Sequence, residues 1–123
     1  MLPYYSYRLI TTLIRPFIVF YILFRILKGK EDRLRVTERY GTSDIKRKDG
    51  KVIWFHAASI GESLSILPLL KKLTSDKSID QIILTTGTLT SANILKDKLS
   101  KKIIHQFIPF DVPSYIHLSL IHI

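Results

Sequence analysis

Three short runs rich in apolar, β-branched and aromatic residues limit what this chain can fold into. They are Val52 to Ala57 (VIWFHA), Gln81 to Thr86 (QIILTT) and Lys102 to Ile108, the last ended by Pro109. Each has the length of a single strand and a composition suited to burial. Between the first two, Glu62 to Leu73 places Leu64, Ile66, Leu67, Leu69 and Leu70 on a broad helical face. Lys71 and Lys72 near its end suit the helix dipole, and Pro68 predicts a kink or an early stop. Thr90 is expected to cap a second helix running to about Leu99. Strands and helices that alternate through short connections imply a parallel sheet with right-handed crossovers. The expected class is therefore α/β with a Rossmann-like sheet, whose ligands lie at the carboxyl ends of the strands.

The residues before this pattern are of another kind. Leu2 to Leu27 is dense in Leu, Ile, Phe and Tyr, interrupted by Arg8 and Arg15 and closed by Arg25. The longest uncharged stretch, Pro16 to Phe24, is shorter than the ~20 apolar residues needed to cross a bilayer. On one helix Arg8 and Arg15 fall nearly together, with Arg25 close by, which describes a helix lying in or slanting through a membrane interface. Tyr4, Tyr5, Tyr7 and Tyr21 favour the same place. A cleaved signal peptide fits poorly, because basic residues recur and no small-residue cleavage site follows. A helix packed on another domain is the plainer reading.

From Arg25 to Lys51 there are ten Lys or Arg against five Asp or Glu, within a chain of net charge +9. A basic stretch directly after an apolar one suits anionic lipid, although charge alone also admits nucleic acid or a phosphorylated substrate. Within it, Glu31 to Tyr40 is expected to form a short charged helix ending at Gly41. The chain has no cysteine, which excludes disulfides and thiolate metal sites. His105 and His117 stand alone, so no metal site is expected.

Three segments can carry chemistry. His56-Ala57-Ala58-Ser59-Ile60-Gly61-Glu62 lies where a strand turns into a helix, a place with free backbone N–H groups. Gly61 permits close backbone approach, and Glu62 is positioned to take a proton from a hydroxyl. The same Ser59 and Glu62 spacing is also a capping box, and His56 suits a hydrogen-bonded strand-end histidine. Thr85-Thr86-Gly87-Thr88-Leu89-Thr90-Ser91 occupies a second such turn and can hold a phosphate or a sugar, or serve only as turn and cap. It has no Walker lysine and no GxGxxG pattern. In Ile108-Pro109-Phe110-Asp111-Val112-Pro113, Asp111 is expected to cap a further helix.

The ordered set resembles the N-terminal domain of the transferases of 3-deoxy-D-manno-octulosonic acid (Kdo). The segments that carry it are the apolar start, Glu38-Arg39-Tyr40-Gly41, Trp54 to Glu62, Leu84 to Thr90, and Pro109 to Pro113; Ser91 departs from a common glycine. The resemblance implies the N-terminal half of a GT-B glycosyltransferase that moves Kdo from CMP-Kdo to lipid IVA, inverting at the anomeric carbon. Glu62 would be the base, with Ser59, Gly61, Thr86 and Arg39 meeting substrate. No cofactor, metal or nucleic acid is implied. The acceptor's phosphates would favour Arg33, Arg35, Arg39 and Lys51, on grounds of charge. The place of action would be the cytoplasmic face of the inner membrane.

The expected organisation is a membrane-anchor helix over residues 1–27, a basic linker over 28–51 and a partial Rossmann-like acceptor domain over 52–117. Leu118 to Ile123 (LSLIHI) equals one reading-frame translation of a common transposase sequencing adaptor. It is expected to be foreign, with the natural chain continuing into a donor domain. The competing expectation is a small membrane-bound adaptor without chemistry, whose basic linker recruits anionic lipid or nucleic acid.

Overall fold

The computed structural model describes residues 2–122, which form two compact units, 44–108 and 2–43 with 109–122. In the first, the apolar runs become β1 (Val52–Ala57), β2 (Gln81–Thr86) and β3 (Ile103–Phe107), hydrogen-bonded in the order β1-β2-β3 and parallel throughout. The expected parallel α/β sheet is present. β1 and β2 have the expected limits, and β3 is shorter than its apolar run. Pairing nevertheless reaches Ile108, whose N–H bonds Thr86 O at 2.9 Å.

The run after β1 folds as α3 (Ile60–Ser65) and α4 (Leu67–Thr74). The break falls at Ile66 because Pro68, in the first turn of α4, has no N–H to continue the ladder. α5 spans Leu89–Leu95, and its cap is Thr88, whose Oγ1 accepts the Ser91 N–H at 3.2 Å. Thr90, the expected cap, lies inside the helix instead, and the helix stops short of Leu99. Capping depends on which hydroxyl precedes the first helical residue, and here Thr88 does so in extended conformation.

Leu70, Leu84, Leu95, Ile82 and Ala57 fill the core between sheet and helices. Burying each large side chain there contributes about 1.5–3 kcal/mol. β2, the middle strand, is buried at all six positions. β1 is not buried throughout, as its composition suggested: it is an edge strand, and Trp54 and His56 are exposed on the face opposite Ala57. His56, Thr85 and Gln106 share one row of that face.

In the other unit, the expected single N-terminal helix is two: α1 (Leu2–Leu13) and α2 (Arg15–Leu27), bent by 56°. Pro16 sits in the first turn of α2 and cannot bond backward across the join. No single helix is long and apolar enough to cross a membrane, although the bent pair meets that test together. α1 buries nothing, whereas α2 buries Ile18 and Ile22 against Val112 and Tyr115 of the 109–122 segment. α6 (Pro113–His122) supplies Tyr115 and runs on through most of the suspected foreign segment. Ile123 lies outside the described residues.

The segment after α2 is held by a 3-10 helix and by ion pairs. Of the helix expected over Glu31 to Tyr40, only a 3-10 helix at Val36–Tyr40 forms. Asp32 accepts the Leu34 N–H at 2.9 Å, a turn that competes with helix, and Glu31 is committed to two arginines. Gly41 ends the 3-10 helix at φ +88°, and an added Cβ would collide with Tyr115 O. Phe110 N–H bonds Arg39 O at 2.9 Å, which ties 109–122 to this segment.

Candidate functional site

Glu62 lies in the first turn of α3, just beyond the carboxyl end of β1, and is exposed. Its Oε2 accepts the Ala58 N–H at 2.7 Å, while Ser59 Oγ accepts the Glu62 N–H at 3.2 Å. The capping box is therefore formed. The two readings of this motif are not exclusive: one carboxylate oxygen closes the turn, and Oε1 has no partner among the described residues. An exposed oxygen on a fixed carboxylate can accept a proton.

Gly61 adds to this. Its φ is not positive, so no unusual dihedral demands glycine. A Cβ there would meet only Ser59 Oγ, at 3.9 Å. Glycine in a helical turn costs about 0.5–1 kcal/mol relative to alanine. No packing constraint offsets that cost, and what glycine provides is open backbone beside the carboxylate.

The second turn meets the first. The carbonyl of Ala58 is 3.8 Å from the Cβ position of Gly87, so both strand-to-helix turns occupy one end of the sheet. Within it, Thr86 is wholly buried and its Oγ1 lies 2.7 Å from His105 Nε2. Thr88 and Ser91 are held in the cap of α5. As placed, the hydroxyls of Thr86, Thr88 and Ser91 serve the fold.

Arg39 is not on an open surface. It is 4% exposed and its Nε contacts Glu31 Oε2 at 3.1 Å, while Glu31 Oε1 holds Arg25 Nε at 2.8 Å. Arg35 is paired with Glu38 at 2.9 Å. Of the cations expected to meet phosphates, Arg33 and Lys51 are exposed. No capping bond to Asp111 occurs among the described residues; the Val112 carbonyl accepts the Tyr115 and Ile116 N–H groups.

Two features were not evident from the sequence. Thr85, fully buried, gathers Trp54 Nε1 and His56 Nδ1 onto its hydroxyl, each at 3.0 Å. In the 2–43 and 109–122 unit, Arg8, Arg15, Ser114, His117 and Asp111 line a depression of about 710 Å³. Neither this depression nor one of about 580 Å³ beside α4 includes Glu62, which stands on open surface. No cluster of residues suited to a metal occurs among the described residues.

A family model described as 3-deoxy-D-manno-octulosonic-acid transferase (kdotransferase) matches residues 34–123. A probable mitochondrial 3-deoxy-D-manno-octulosonic acid transferase of Arabidopsis thaliana is 36% identical over 97% of this chain and 27% of its own length. The 3-deoxy-D-manno-octulosonic acid transferase of Rickettsia bellii is 36% identical over 85% of this chain and 25% of its own. That of Haemophilus influenzae is 30% identical over 92% and 27%. The chain spans about a quarter of the length of these relatives. No solved structure matches it. With its residues from 34 onward fitted by that model, the chain belongs to the 3-deoxy-D-manno-octulosonic acid transferase family.

Proposed function

We propose that this chain is the N-terminal, acceptor-side part of a GT-B glycosyltransferase that moves Kdo from CMP-Kdo to lipid IVA at the cytoplasmic face of the inner membrane. The observation that carries this is the Glu62 carboxylate, exposed, fixed through one oxygen to Ala58 and with the other unpartnered among the described residues. A glucosamine hydroxyl of the acceptor gives its proton to Glu62 as its oxygen attacks the anomeric carbon of Kdo. The bond from that carbon to the CMP phosphate breaks, and the configuration inverts. The donor site belongs to the remaining length that relatives have and this chain does not. Ser59 and Gly61 border the acceptor; Arg39 and Thr86, being buried, act through the fold. No cofactor enters this scheme.

The N-terminal helices bring the site to its lipid. α1 and α2 expose Leu9, Leu13, Phe17, Phe20 and Phe24 among others, more apolar surface than a soluble face requires. Arg8 and Arg15 are without a carboxylate partner among the described residues and suit anionic headgroups. A membrane adaptor without chemistry would account for the apolar helices and the capping box, but it leaves the glycine at position 61 without a reason.

The test is Glu62→Gln in a full-length protein. The variant is expected to fold and bind membranes while losing Kdo transfer, and near-normal transfer overturns the base assignment.

A further inference from the structure

We infer that His56 is a second acceptor-contacting residue, its Nε2 receiving a hydrogen bond from a sugar hydroxyl, and that Thr85 positions it. This rests on the function proposed above. The Thr85 hydroxyl has one proton and two lone pairs. The proton goes to Phe55 O at 3.3 Å. Trp54 Nε1 is donor only and takes one lone pair at 3.0 Å. With His56 Nδ1, also at 3.0 Å, as donor to the second lone pair, the Thr85 proton is left for Phe55 O, and this is the tautomer the inference takes. A neutral ring with its proton on Nδ1 presents Nε2 as an acceptor. That nitrogen has no partner among the described residues, and the ring is exposed.

The placement suits a substrate contact. His56 is two residues before Ala58, whose N–H holds the Glu62 carboxylate, so their Cα atoms are at most about 7 Å apart. Imidazole and carboxylate stand at the same end of the sheet, where a parallel α/β fold takes its ligands. Beside them, Trp54 is 43% exposed with its indole fixed by Thr85. A rigid apolar ring next to a hydrogen-bond acceptor is the pairing that a pyranose ring, with its apolar faces and hydroxyl rim, requires.

Amide side chains separate the two ring nitrogens. His56→Asn keeps an N–H near Nδ1 and loses the outer acceptor, whereas His56→Gln places a carbonyl oxygen near Nε2. In a full-length protein assayed with a lipid A precursor, His56→Asn is expected to raise the acceptor KM about tenfold, the effect of one hydrogen bond. His56→Gln recovers most of it. Thr85→Val, which frees the ring, behaves like His56→Asn; should it fail to fold, the Asn and Gln pair decides alone. An unchanged acceptor KM in His56→Asn, or a Gln variant as impaired as the Asn variant, overturns the assignment while leaving Glu62 untouched. A wild-type protein that transfers no Kdo overturns the function itself, and this contact with it.

Discussion

Glu62 and Ala58 are joined by a 2.7 Å hydrogen bond from backbone N–H to carboxylate Oε2, and this bond lets one side chain close a helix and still offer an oxygen outward. Ser59 completes the arrangement by accepting the Glu62 N–H. Fold and proposed chemistry share these three residues, so substitutions there must be read for stability and rate separately.

Ser59→Ala removes only the capping acceptor and is expected to cost about 0.5–2 kcal/mol of stability. Glu62→Gln keeps an oxygen for Ala58 N–H, so its melting temperature stays near wild type, while transfer falls by about 10²–10⁴-fold. Thermal melts paired with a transfer assay on full-length variants check both. Equal losses of stability in the two, with transfer retained in Glu62→Gln, would reduce the motif to a cap.

Gly61→Ala is expected to stabilise the fold by about 0.5–1 kcal/mol, since helical geometry and free space both accept a methyl group. Transfer should fall, because the methyl occupies the open approach to Glu62. A variant that is more stable and equally active shows that the space is unused.

Glu31 is the hinge of the buried charge cluster, holding Arg25 and Arg39 on separate oxygens. Glu31→Ala leaves Arg39 charged, buried and without this partner, at a cost of about 3–5 kcal/mol. Denaturant unfolding measures it. A loss below 1 kcal/mol, as for a surface pair, contradicts this.

Burial, followed by the field of Tyr115, raises the Tyr40 hydroxyl above its ordinary value of 10.0. Because the folded value is the higher one, the stability linked to Tyr40 is whole below the unfolded value. It is lost as pH rises through the folded value. Alkaline unfolding followed by ultraviolet absorbance is expected to shift upward in pH for Tyr40→Phe, which has no proton to lose.

Arg8→Gln and Arg15→Gln are each expected to weaken binding to anionic phospholipid vesicles by about 1 kcal/mol, roughly fivefold, with little effect on zwitterionic vesicles. Co-sedimentation reads the difference, and equal binding of wild type and double variant to anionic vesicles removes the headgroup role.

Local pattern was enough for much of this protein. The limits of β1 and β2, the break at Pro68, the glycine ending at Gly41 and the Ser59–Glu62 box are all set by residues within a few positions of one another, where steric and hydrogen-bonding preferences act directly. Family resemblance, too, was carried by short ordered segments. Contacts between distant positions were not legible. Arg39 reads as one more surface cation until Glu31 meets it in a buried pair. Thr86 and Thr85 are adjacent and alike in sequence, yet strand alternation sends one to His105 and the other beneath Trp54 and His56. Their partners lie 19 to 31 residues away, so only strand register brings them together. Sequence alone determined the three strands and the helix break at Pro68, because backbone preferences are local. Tertiary structure decided which side chains remain available to a ligand, because burial and pairing depend on what the rest of the chain places against them.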